Sequence, residues 1–198
     1  MPSGFRGRCG YLTILLYGES FMNYYSGKTV YITGGSSGIG LAAAVLLSSY
    51  GANVAIFARN KEKLKKAIAK IEASKKSAAQ RFASASLDVS DNRSVRKVME
   101  KAVKEFGAPD VLINSAGVAY CNDFEKTSFA KFDEEIRIDL YGVWNTCEAL
   151  VPVMKARGAG HIVNMASLAG KVPVPYSAPY AASKAGLIGF TESLRMEF

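Results

Sequence analysis

Short apolar runs bounded by glycine or polar residues alternate along this chain with longer segments whose apolar positions recur every three or four residues. The run at 28–33, KTVYIT, is β-branched and aromatic and ends in glycines, the pattern of a buried strand. Residues 39–50 are apolar and alanine-rich, as in a helix lying close on a sheet, and Gly51 suits their termination. Residues 53–58, NVAIFA, predict a second strand. Across 61–73, Leu64, Ile68 and Ile71 form one apolar helical stripe. Residues 81–87 predict a weaker third strand. Ser90 or Asp91 can cap a following helix that carries Val95, Val98, Ala102 and Phe106 on one face. A fourth strand at 109–113, a long helical pattern over 129–157, a fifth strand at 161–165 and a helix over 176–198 complete the pattern.

Strands and helices in strict alternation predict an α/β fold: a doubly wound parallel sheet of the Rossmann type, with right-handed crossovers and helices on both faces. The chain stops inside the last helix, whereas such sheets usually continue, so the expectation is a domain over 27–198 that is incomplete at its C-terminus. The fifth strand would then lie at a sheet edge. Residues 1–26 are expected to be an extension outside the core, with Met22 as the natural start. The apolar run at 11–17 is too short to cross a bilayer, which needs ~20 residues, and no convincing cleavage pattern follows it.

Composition narrows the class. Hydrophobic residues make up 49% and charged residues 21%, an ordinary globular balance that argues against disorder. The net charge of +8 is uneven: 59–81 holds nine Lys/Arg against Glu62 and Glu72. Such a cluster fits nucleic acid, an anionic membrane surface, a phosphorylated cofactor, or simply a solvated helix face. Interleaved aromatic residues and a recognised nucleic-acid motif are lacking, so no nucleic-acid partner is expected. Cys9, Cys121 and Cys147 form no CxxC pair, which points away from zinc or a disulfide framework and towards a reducing, cytoplasmic compartment. His161 is the single histidine and cannot make a metal cluster, so no metal is expected.

Three patterns carry chemistry. Thr33-Gly34-Gly35-Ser36-Ser37-Gly38-Ile39-Gly40 joins the first strand to the first helix. Glycines there let backbone approach a pyrophosphate, and the helix start offers free N–H groups to that anion; Ser36 and Ser37 add hydroxyls. At the end of the second strand stands Arg59, where an acid would select the ribose hydroxyl of NAD and a cation accommodates the 2′-phosphate of NADP. Lys63, one helical turn on, can face the same phosphate. The predicted cofactor is therefore NADP(H). Finally, Tyr180 and Lys184 sit at i and i+4, which places a phenol beside an ammonium. A neighbouring cation favours phenolate, and Ser167, at the end of the fifth strand, would bring a hydroxyl to the same place. Tyr176 is a competing phenol without a lysine at i+4.

TGGSSGIG, with Ser167, Tyr180 and Lys184 in order behind it, resembles the short-chain dehydrogenase/reductase family over 28–198. The resemblance implies that Asp88 in Leu87-Asp88-Val89 bonds the adenine ring, with Val89 beside it. It also implies that Asn114-Ser115-Ala116-Gly117 borders the cofactor through Asn114, Ala116 and Gly117, and that Lys184 also bonds the nicotinamide ribose. Where the family often has Asn in N-x-x-G, this chain has Asp139 in Asp139-Leu140-Tyr141-Gly142. Asp139 would pair with Lys184 and hold it protonated, or disturb the proton relay.

Within the family, Ala58-Arg59-Asn60 with Lys63-Leu64, and Gly186-Leu187-Ile188-Gly189-Phe190, are similar to 3-ketodihydrosphingosine reductases. That likeness implies a hydrophobic ketone substrate, peripheral membrane contact for a lipid, and a dimer or tetramer built on the long helix and the one after Tyr180. The apolar stretch 172–176 would suit such a substrate. The alternatives are reduction of another lipid, steroid or small ketone, and an NADP-binding protein that no longer turns over.

Overall fold

The computed structural model describes residues 24–197; the run at 11–17 and Met22 lie outside the described residues. Five strands, β1 (Thr29–Thr33), β2 (Asn53–Ala58), β3 (Phe82–Ser86), β4 (Val111–Asn114) and β5 (His161–Asn164), form one parallel sheet in the order β3-β2-β1-β4-β5. The doubly wound expectation is borne out, and β5 lies at an edge.

Alternation along the central strands supplies both cores. Val30, Ile32, Val54 and Ile56 pack under α1 (Gly38–Ser49) and α2 (Lys61–Ala73). Tyr31, Phe57 and Leu112 face the other way, against α3 (Asn92–Phe106), α5 (Gly142–Ala156) and α6 (Ala178–Arg195). Each fully buried Ile or Leu contributes about 1.5–3 kcal/mol, so the central strands anchor the domain. Asp91, rather than Ser90, caps α3, accepting the Ser94 N–H at 3.1 Å.

Three expectations need correction. The long helical pattern is not one helix: α4 (Phe129–Ile136) passes into a π-helical turn (Arg137–Tyr141) before α5 begins. The apolar periodicity survives such a turn, so the pattern alone hides it. The last helix starts at Ala178, because Tyr176 adopts a left-handed φ of 63° outside it. The boundary at 26/27 is also too sharp: Tyr25 packs on the cluster beneath α1 and its ring stacks with Tyr50 at 6.5 Å. Among the described residues no helix is long and apolar enough to cross a membrane.

Candidate active site

At the carboxyl ends of β1 and β4, where the strand order reverses, lies a cleft of about 560 Å³. Its walls bring together Gly34, Ser36, Ser37, Gly38, Ile39, Gly40, Arg59, Lys63, Asp88, Val89, Ala116, Gly117, Asp139, Tyr180 and Lys184.

The glycine turn forms one wall. Gly34 has a φ of +68°, and a Cβ there would stand 2.7 Å from the Ala116 nitrogen; a Cβ on Gly40 would meet the Gly34 carbonyl at 2.6 Å. Backbone therefore fits against backbone with no room for a side chain. Ser37 precedes α1 in extended conformation and makes no side-chain cap, so the first-turn amides keep their capacity to bind an anion. Across the cleft, the Asn60 side chain caps α2 by accepting the Lys63 N–H at 2.8 Å, and Arg59 and Lys63 stand exposed on the rim. Asp88 Oδ1 accepts the Ser90 N–H at 3.0 Å and its hydroxyl at 2.7 Å, which folds the turn beside Val89.

The other end holds the titratable groups. Lys184 is buried on α6; its Nζ donates to the Met165 carbonyl at 3.1 Å and lies 3.1 Å from Asp139 Oδ2. The contact with Asp139 is an ion pair, not an aligned hydrogen bond. Asp139 sits fully buried in the π-helical turn, where its Oδ1 accepts the Val118 N–H at 2.9 Å. Burial pushes its carboxyl above the usual range, while the Lys184 ammonium and the Val118 N–H pull it back. The Lys184 ammonium lies 5.4 Å from the centroid of the Tyr180 ring, as the i, i+4 spacing requires.

Asn114, Ser167 and Tyr176 are not on the cleft wall. Asn114 is off the cleft wall: its side chain is buried, donating to Asn164 Oδ1 at 2.9 Å and accepting from the Thr146 hydroxyl at 2.8 Å. Its amide thus ties β4 to β5 and α5. Ser167 follows the cleft residues Met165 and Ala166 but is not itself on the wall; its Oγ accepts the Ala169 N–H at 3.2 Å, starting a short 3-10 turn (Leu168–Gly170). Its own proton remains available to donate. Tyr176 is exposed and off the wall.

Sequence reasoning missed wall residues that flank the motifs, Asn60, Ser115, Val118, Ala119, Ile138, Met165 and Ala166 among them. It also missed Glu135, fully buried on α4. The available signal was its position four residues before Asp139.

The short chain dehydrogenase profile matches residues 28–198. The chain belongs to the short-chain dehydrogenase family. It is 36% identical over 174 residues to an uncharacterized oxidoreductase of Thermotoga maritima, covering 88% of this chain and 67% of that one. It is 37% identical over 171 residues to the 3-oxoacyl-(acyl-carrier-protein) reductase FabG of Chlamydia muridarum, covering 86% and 67%. Among solved structures, a metagenomic short-chain oxidoreductase in complex with NADP superposes with a TM-score of 0.81 at 36% identity, covering 87% of this chain and 77% of that one. The chain thus spans about two thirds of the length of these curated relatives, or somewhat less.

Proposed function

We propose that this short-chain dehydrogenase reduces a ketone on a hydrophobic, lipid-like substrate with NADPH. One observation carries the reading: a phenol beside a buried ammonium closes one end of a cleft whose other end presents uncapped helix amides and a rim arginine. The fit to a phosphorylated dinucleotide rests on that far end. Gly34 and Gly40 leave backbone bare there, and the second strand ends in Arg59 with no acid at that position.

When bound, NADPH supplies the hydride. The chain's own residues do the rest. The first-turn amides of α1 would hold the pyrophosphate, Arg59 and Lys63 would hold the 2′-phosphate, and Asp88 would bond the adenine ring. The Ser167 hydroxyl donates to the substrate carbonyl oxygen and orients it. Tyr180 transfers its proton to that oxygen, and Lys184 beside it stabilises the phenolate left behind. Asp139 holds Lys184 in place.

The substrate side is where the sphingoid likeness enters, supported by the apolar, exposed Val172, Val174 and Tyr176 on the segment before α6. A lipid substrate of that kind entails contact with a membrane surface. We place the subunit contact on α5 and α6, where Trp144 and Phe190, with Tyr141 of the π-helical turn, border a second cavity of about 730 Å³.

The test is NADPH oxidation against 3-ketodihydrosphingosine, a 3-oxoacyl thioester, a steroid ketone and a small ketone. Fastest turnover with the sphingoid ketone, and a loss of at least about 100-fold in Tyr180→Phe, is the expected result. NADPH binding without turnover on any ketone would favour the second reading, a binding protein impaired by the carboxylate at Asp139.

A further inference from the structure

Among the described residues the buried charged side chains are three: Glu135, Asp139 and Lys184. Asp139 and Lys184 form an ion pair on the cleft wall, and Glu135 lies four residues before Asp139 along the same helical run. Glu135 Oε1 accepts the Tyr120 N–H at 2.5 Å, while its Oε2 is buried with no partner. Asp139, four residues on, accepts the Val118 N–H and takes the ammonium. The two carboxyls therefore anchor alternate amides of the loop after β4, and residues 115–119 of that loop line the cleft. With both carboxyls ionised, this buried group would carry two negative charges against one positive.

A lone buried carboxylate costs more than a neutral carboxyl left without one hydrogen-bond partner. The ammonium lies against Asp139, so the proton belongs on Glu135. A neutral Glu135 still accepts the Tyr120 N–H through its carbonyl oxygen.

We propose that Glu135 is a positioning residue that works as a neutral acid. It carries the one proton of this buried group, leaves Asp139 ionised against Lys184, and so keeps the 115–120 loop seated on the cofactor cleft. The link to the cofactor rests on the NADPH reading; the proton on Glu135 does not.

The charges around the pair favour this arrangement. Burial raises Glu135's hold on its proton most; the Tyr120 N–H opposes, and Asp139 and Glu134 reinforce. From the loop, the Tyr120 hydroxyl donates to Glu134 Oε2 at 2.8 Å, with the Lys131 ammonium 5.6 Å from its ring centroid and Arg59 acting on the same phenol. From α6 the charged group is Lys184. Asp133 pairs with Arg137 at 3.9 Å on exposed surface.

A carboxyl whose proton is held more tightly in the fold than in the unfolded chain stabilises the fold fully below its ordinary titration range. That stability is lost as pH rises through the folded value. The experiment compares wild type, Glu135→Gln and Glu135→Ala, by denaturant unfolding without cofactor from pH 5 to 9 and by NADPH fluorescence titration at pH 6 and pH 9. Wild type should lose up to a factor of ten in its folding equilibrium constant per pH unit across part of this range. Glu135→Gln, neutral at every pH and still able to accept the Tyr120 N–H, should show a smaller loss. Glu135→Ala should weaken NADPH binding about tenfold, and Glu135→Gln should recover it. The same pH slope in wild type and Glu135→Gln would overturn the proposal, as would Glu135→Gln as destabilised at pH 6 as Glu135→Ala. Wild type that fails to bind NADPH yet shows the slope difference would sink the cofactor reading and leave the neutral Glu135 standing.

Discussion

Replacing Lys184 with Met removes the ammonium from the buried Asp139 and leaves the rest of the side chain's volume. At 3.1 Å and an effective dielectric constant of ~20, the lost attraction is about 5 kcal/mol. The carboxyl has an alternative, which is to take up a proton. Neutralising a carboxyl of ordinary pKa ~3.9 costs about 4 kcal/mol at pH 7 and about 1.5 kcal/mol at pH 5. Protonation is the cheaper route at both, so it sets the penalty. The Met165 carbonyl also loses its donor, adding about 1 kcal/mol at either pH. In wild type, burial raises the Asp139 carboxyl from its ordinary range, and the Lys184 ammonium opposes that rise; Met at 184 removes the opposition. The gap between Lys184→Met and wild type should therefore widen by roughly 2 kcal/mol from pH 5 to pH 7. Guanidinium unfolding followed by circular dichroism at the two pH values reads this directly. A gap that is the same at both would show that Asp139 is not a carboxylate held by this ammonium.

Arg59→Asp should weaken NADPH binding at least about tenfold, a charge-assisted hydrogen bond being worth about 1.5–3 kcal/mol, and should spare NADH; equal losses for both nucleotides in a fluorescence titration would remove Arg59 from the phosphate site. Gly34→Ala forces a Cβ to 2.7 Å from the Ala116 nitrogen at a left-handed φ, for roughly 3 kcal/mol of destabilisation. An unchanged melting temperature would mean that the turn shifts freely. Asn114→Ala leaves the Asn164 Oδ1 acceptor without its donor and should cost about 2 kcal/mol in unfolding free energy. NADPH affinity of the folded variant should change less than threefold, and a tenfold loss would return Asn114 to the cofactor site.

The sheet was legible because its central strands are apolar on both faces and its turns carry their glycines where backbone must crowd backbone. The cleft was legible for the same reason: in a doubly wound sheet the strand ends converge at the reversal of strand order, so residues at strand ends become wall residues together. For Asn114 the motif position says that it ends a strand, not which way its amide points. The π-helical turn was hidden because one widened turn barely disturbs an apolar period. Glu135 was invisible for a different reason. A glutamate in a helical pattern reads as solvent-facing, and only the loop folded over it removes the water.

That loop and the two carboxyls fit each other by length. Two residues of extended chain advance about 6.6–6.8 Å, and four residues of helix rise about 6 Å, so carboxyls at i and i+4 can meet amides at j and j+2. Glu135 with Tyr120, and Asp139 with Val118, are such a pair of matches. Neither amide has another backbone acceptor among the turn and loop bonds, so the clamp is what satisfies them. Of the two, Asp139 carries the buried negative charge that faces Lys184. Asp139 thus serves both the seating of the cleft wall, through the Val118 N–H, and the charge beside Lys184, whereas Glu135 serves the seating through the Tyr120 N–H.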